Sequence, residues 1–189
     1  MSNPHHTEDN SLAGKVQKHT GVKVSRCYQC GKCSAGCPVS SDMDFPPSLL
    51  IRKLQTGFPK HEEEVLRSKS IWFCLTCEMC IARCPMEVDI PPMIDYLRGE
   101  SMRLNKANPA AKNIIRFHKA FLNSIQKTGR LYEMGLIVDY KSRSLNMVQD
   151  VVLAPSMFAK GKLKILPELI KDRKNIKQIF QKTLKNKHK

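Results

Sequence analysis

Two runs of cysteine constrain this chain more than any other feature. The first reads Cys27-x2-Cys30-x2-Cys33-x3-Cys37-Pro38, and Cys74-x2-Cys77-x2-Cys80-x3-Cys84-Pro85 repeats its spacing. Together they use all eight cysteines of the 189-residue chain, so no thiol is left as a nucleophile or resolving partner. Three thiolates two residues apart in a coiled loop can wrap three corners of a cube, and the fourth must arrive from elsewhere. Proline after the fourth cysteine fixes the backbone and ends the local turn.

This is the thiolate spacing that holds a [4Fe-4S] cluster. Zinc sites of four thiolates also use C-x2-C pairs, but they have no use for a third cysteine at x2 and a fourth at x3-Pro, repeated twice. In two-cluster ferredoxins the fourth cysteine of each run serves the other cluster. That rule gives Cys27, Cys30, Cys33 and Cys84 to cluster I, and Cys74, Cys77, Cys80 and Cys37 to cluster II. Folding then depends on metal, since empty sites leave eight thiols and little local core. Lys32 and Arg83 lie beside ligands of cluster I and Glu78 beside those of cluster II, which predicts the higher reduction potential for cluster I.

The charge is divided unevenly. Of 32 Lys and Arg and 17 Asp and Glu, residues 1–97 hold 11 and 11, and residues 98–189 hold 21 and 6. Three segments are expected: a flexible lead-in over 1–25, a two-cluster domain over 26–100, and a basic helical region over 101–189. Pro46 to Gly57 has proline in the first turn and glycine past the end of a short helix. His61 to Ser68 opens with Glu62, Glu63 and Glu64, where the helix dipole favours negative charge. Pro91 and Pro92 open a helix through Ile94, Leu97 and Met102. Asn108-Pro109 starts a helix that Gly129 stops, with Ile114, Ile115, His118, Phe121, Leu122 and Ile125 on one face. Shorter pieces are expected over Leu131–Val138 and Leu145–Leu153, and a last helix from Pro167 that packs through Leu169, Ile170, Ile176, Ile179, Phe180 and Leu184.

Other chemistries find no support. There is no G-x-G-x-x-G and no Walker loop, so no flavin or nucleotide site is visible. The histidines read as solvated or partly packed, and the nine Met as apolar gap-fillers. The polar start suits no signal peptide and no run is long and apolar enough to cross a bilayer, so a cytoplasmic location without a membrane span is expected. The Lys-rich half lacks the aromatic residues and motifs of a nucleic-acid binder. It reads as a solvated face or as a docking region for other subunits.

Cys27-Tyr28-Gln29-Cys30-Gly31-Lys32-Cys33-Ser34-Ala35-Gly36-Cys37-Pro38, the Ile51-Arg52 helix with Gln55 and Gly57, and Ile71-Trp72-Phe73-Cys74-Leu75-Thr76-Cys77-Glu78-Met79-Cys80 resemble the iron-sulfur C subunits of the soluble CoB-CoM heterodisulfide reductases of methanogenic archaea. The resemblance is close over residues 20–105. It implies a mainly α fold: an α-helical ferredoxin-like two-cluster domain with a helical C-terminal extension. It also implies two [4Fe-4S] clusters that carry electrons from a bifurcating, flavin-containing A subunit to a catalytic B subunit. The B subunit reduces the CoM-S-S-CoB disulfide in methanogenesis, within a larger complex fed by hydrogenase or formate dehydrogenase. Family catalytic subunits carry paired Cys-Cys-Gly motifs, absent here, so the resemblance implies a non-catalytic relay subunit of an oxidoreductase. The alternatives are a free ferredoxin-like carrier, or the iron-sulfur subunit of another anaerobic dehydrogenase.

Overall fold

The computed structural model describes residues 10–144, 154–161 and 166–185. Among them every regular element is a helix, as the mainly α expectation requires. The chain divides into two compact units, Met1–Lys112 and Asn113–Lys189, so the division falls later than the change in composition near residue 100.

The first unit is built around α7 (Ile90–Arg103), which packs against α1 (Leu12–Thr20), α4 (Pro59–Arg67) and α5 (Ser70–Phe73). Helix α3 (Pro47–Thr56) lies against α4 and against the short α2 (Lys32–Ala35), which in turn meets α6 (Met79–Ala82). Met93, Ile94 and Leu97 of α7, Leu50, Ile51 and Leu54 of α3, Val65 and Leu66 of α4, and Ile71 and Trp72 of α5 are all buried and make up the core. Filling this core with side chains rather than metal alone gives the cysteine loops a rigid base.

The lead-in expected over residues 1–25 contains α1, whose Leu12 and Val16 are buried in that core. Ser11 caps it by accepting a hydrogen bond from the Gly14 amide, and Gly21 ends it at φ +76°. Glu62 of α4 accepts from the Leu12 amide at 2.6 Å, and the His19 ring stacks on Tyr96 of α7 at 5.0 Å. Two apolar residues one turn apart sufficed to dock a helix, and their small number hid it among polar neighbours. Helix α3 follows the Pro-to-Gly reading, with Gly57 at φ +63°. Helix α4 begins at Pro59, ahead of His61, because proline occupies its first turn.

The first unit ends in a 3-10 turn at Pro109–Ala111, and α8 (Lys112–Thr128), which opens the second, is stopped by Gly129 at φ +84°. The expected face of α8 is only partly covered. His118 and Leu122 are exposed, and the buried positions are Ala120 and Thr128. Helix α9 (Glu133–Ser144) sets Tyr140 edge-on to Phe117 with centroids 5.8 Å apart. Helix α10 covers Ala154–Ala159, while the piece expected over Leu145–Leu153 lies outside the described residues. Helix α11 (Arg173–Lys185) starts later than Pro167, because Ile170 is held beside α8: its amide donates to the Thr128 carbonyl at 3.3 Å. Leu169 and Ile179, expected to pack, are exposed.

Candidate metal centre

The two cysteine runs share a backbone as well as a spacing. Gln29 and Thr76 hold equivalent places and both lie in the left-handed region, at φ +64° and +51°. Gly31 and Glu78 follow suit, at +77° and +62°. Each pair of left-handed residues reverses the chain and feeds a single helical turn, α2 or α6, that carries the third cysteine of its run. Left-handed residues other than glycine cost conformational energy, and their recurrence at matched places marks a loop shaped for its contents.

The two turns meet back to back. Gly36 precedes Cys37 and Arg83 precedes Cys84, and the Arg83 side chain lies directly over Gly36, where a Cβ would come within 2.5 Å of its Cδ. This close approach brings the fourth cysteine of each run toward the other run.

An opening with about 520 Å3 of empty space, part of it open to solvent, is lined by Cys74, Cys77 and Cys80 of the second run together with Cys37 of the first. Its remaining walls include Val39, Met43, Phe45, Leu50, Ile90 and Ile94, with Glu78 as the one charged lining residue. On the other side, Tyr28 lies near Cys30, Cys84 and Cys27, and Cys33 lies near Cys27. Cys37 therefore stands with the later three thiols at one opening, and the two runs adjoin, since Cys80 lies near Cys33.

Burial pushes the Cys33 and Cys74 thiols above their ordinary range. It pushes Cys80 up to about 11, reinforced by the neighbouring Cys74. Such thiols stay protonated until a cation displaces the proton, as soft metal binding does. Among the described residues no group of three His, Cys, Asp or Glu side chains converges on a single ion site. The thiols stand around an opening instead, with soft sulfur donors and apolar walls. That donor set fits an iron-sulfur cluster, which is larger than one ion and bound by thiolates.

Polar residues outside the runs fix the loops. Gln55 of α3 donates to the carbonyls of Val24 and Cys27 at 2.8 and 2.7 Å. It also accepts from the Gln29 amide at 3.3 Å, and Gln29 donates to the Cys27 sulfur at 3.4 Å. The Val88 amide donates to the Cys84 sulfur at 3.3 Å. At the second run, Arg98 of α7 donates to the carbonyls of Ile71 and Cys74, both at 2.5 Å. Asp44 accepts from the Ser68 and Ser70 hydroxyls, each at 2.5 Å, and from the amides of Lys69 and Ser70. Burial would raise the Asp44 carboxyl, but these hydrogen bonds outweigh it and hold the group below its ordinary value.

Sequence reasoning had no signal for Asp44 or Arg98, since each acts through backbone far along the chain. Lys32, Arg83 and Glu78, singled out beside the ligands, are all exposed.

A helical scaffold presenting two such cysteine runs defines a class, and residues 23–88 match the 4Fe-4S dicluster domain family. The relatives narrow it further. The chain is 29% identical over 121 residues to the C subunit of the H(2):CoB-CoM heterodisulfide,ferredoxin reductase of Methanothermobacter thermautotrophicus, covering 64% of this chain and 60% of that one. It is 37% identical over 78 residues to the iron-sulfur C subunit of the CoB--CoM heterodisulfide reductase of Methanopyrus kandleri, covering 41% and 39%. With the C 2 iron-sulfur subunit of the Methanocaldococcus jannaschii enzyme it shares 34% over 111 residues, covering 59% and 58%. The chain is thus a relative of heterodisulfide reductase C subunits and carries a 4Fe-4S dicluster domain. These matches span at most 60% of the relatives' own length.

Proposed function

We propose that this chain is the electron-relay subunit of a heterodisulfide reductase-type complex, holding two [4Fe-4S] clusters. Cys27, Cys30, Cys33 and Cys84 hold cluster I, and Cys74, Cys77, Cys80 and Cys37 hold cluster II. The observation that carries this reading is the cavity where Cys37 joins Cys74, Cys77 and Cys80. A run that kept its own fourth cysteine would not need the close Gly36–Arg83 approach.

The clusters supply one-electron chemistry when bound, and the residues of the chain do the rest. The thiols would release their protons to solvent and hold iron as thiolates, the apolar walls limit water, and Gln55, Arg98 and Asp44 hold the loops in place. With every cysteine committed to a cluster, the chain passes single electrons between partners. The fitting donor is a flavin-containing A subunit, in a complex capable of electron bifurcation, and the fitting acceptor is a catalytic B subunit that reduces CoM-S-S-CoB. Hydrogenase or formate dehydrogenase stands upstream. The basic segment over 101–189 serves as the docking region, and the complex is cytoplasmic.

Anaerobic isolation of the native protein with its co-purifying chains tests this assignment. A stable heteromer containing a flavoprotein and a protein with paired Cys-Cys-Gly motifs supports it. A lone chain of 21.5 kDa that reduces several unrelated enzymes would instead identify a free carrier. The matched domain covers only residues 23–88, which leaves a second reading, the iron-sulfur subunit of another anaerobic dehydrogenase. A different catalytic partner in the heteromer would reveal it.

A further inference from the structure

The two runs share one backbone but differ at nearly every residue between their cysteines, and the differences run in one direction. Where the first run has Tyr28, Gln29 and Ser34, the second has Leu75, Thr76 and Ile81. In the first run two of these side chains approach a thiol. The Gln29 amide donates to the Cys27 sulfur at 3.4 Å and Tyr28 lies beside Cys30, whereas the Ser34 hydroxyl bonds the Ser48 hydroxyl at 2.7 Å and accepts from the Ser48 amide at 2.9 Å. In the second run Leu75 and Ile81 have no donor to offer, and the Thr76 hydroxyl turns to the Leu75 carbonyl at 2.7 Å. Charge within the runs follows the same direction, with Glu78 and Met79 in the places that Gly31 and Lys32 hold in the first run, while Arg98 of α7, outside the runs, lies at the Cys74 carbonyl.

Gln29 is not placed by chance rotation. Its amide also donates to Gln55, and Gln55 is tied to the Val24 and Cys27 carbonyls, so one helix residue fixes both the loop and the donor aimed at its sulfur. Reduction adds negative charge to a cluster and its sulfurs, and hydrogen-bond donors or cations nearby stabilise that charge. Apolar walls and a carboxylate do the opposite.

We propose that Gln29, positioned by Gln55, together with Tyr28, raises the reduction potential of the cluster held by the first run above that of the cluster held by the second. The relay is thereby polarised. An electron reaching the second-run cluster passes to the first-run cluster, the one oxidised and the other reduced by a single electron. The donor partner accordingly addresses the second run and the acceptor the first. This inference rests on the two-cluster, crossed-ligand reading above.

The test is the midpoint potential of each cluster, read by electron paramagnetic resonance of the full-length, anaerobically isolated protein at poised potentials. The parent protein is expected to show two unequal midpoints. Gln29→Met, close in shape but without a donor, lowers the higher one alone, and Gln29→Glu lowers it further. Thr76→Val, which removes a hydroxyl not directed at sulfur, leaves both in place. Tyr28→Phe, at an exposed side chain, lowers the same midpoint as Gln29→Met and decides the matter if the Gln29 variants fail to load iron. Equal midpoints in the parent, or variants that move neither midpoint, both together, or the lower one alone, overturn the proposal. Zinc, or iron for only one cluster, would instead defeat the reading on which it rests.

Discussion

Asp44→Ala removes the carboxylate that joins the linker between the runs to the entrance of the second run. The Ser68 and Ser70 side chains that donate to it are 1% and 2% exposed, and each hydroxyl lies 2.5 Å from its Oδ1. Both keep their acceptor roles, from the Ser70 and Phe45 amides, but neither keeps a partner for its proton. A buried donor left without a partner costs about 1–3 kcal/mol. Asp44 itself is exposed, so water partly replaces it and the low end applies. Two hydroxyls therefore place Asp44→Ala at about 2–4 kcal/mol, a fall in melting temperature of about 8–16 °C for a unit of this size. Asp44→Asn keeps one acceptor oxygen and is expected to lose about half as much. Calorimetry of the iron-loaded protein measures both. A shift of less than about 2 °C in Asp44→Ala, or equal losses in the two variants, would refute the hydrogen-bond account.

The Asp44 carboxyl is held below its ordinary value, so its contribution is complete above pH about 4 and disappears as pH falls through the folded-state value. Melting temperature against pH is expected to fall less steeply below pH about 4 in Asp44→Asn than in the parent. Arg98→Met removes the two carbonyl contacts at Ile71 and Cys74 and is expected to cost about 2–3 kcal/mol by denaturant unfolding, with Arg98→Lys failing to restore it because one ammonium cannot serve both. Gly36→Ala sets a methyl against the Arg83 side chain, which is flexible enough to move. A cost of about 1 kcal/mol is expected, and it should vanish in an Arg83→Ala background if the contact is its cause.

The parts of this molecule that were legible in sequence are those governed by local rules. Spacing exposed the two runs, and proline and glycine bounded α3, because each signal sits within a few residues of its effect. The mainly α character and the helical domain follow from the resemblance and agree with the structure. Helix α1 escaped because Leu12 and Val16 carry meaning only once α7 supplies a surface for them. The α8 face was read as a simple stripe, yet His118 and Leu122 stay outside while Ala120 is covered, since the neighbours of a helix decide which part of its apolar arc is used. The start of α11 was misplaced for a similar reason. Pro167 is a valid helix opener, but the backbone bond from Ile170 to Thr128 holds that segment outside the helix. At the centre, the cysteines were visible and their supports were not. Asp44 and Arg98 act over separations of 24 to 27 residues, and no periodicity links them to the loops they hold; Gln55 belongs to the resemblance, but its bonds to Val24 and Cys27 had no signal there.

The central claim is that the two cysteine runs exchange their fourth ligands to hold two iron-sulfur cubes. Mössbauer spectroscopy with iron and sulfide analysis of anaerobically isolated Cys84→Ser tests it most directly. The parent is expected to contain about eight Fe per chain, all in four-iron clusters. The variant should lose or alter the cluster of Cys27, Cys30 and Cys33 while the cluster of Cys74, Cys77 and Cys80 stays intact. Damage confined to the second run's own cluster, or zinc in place of iron in the parent, would contradict the account.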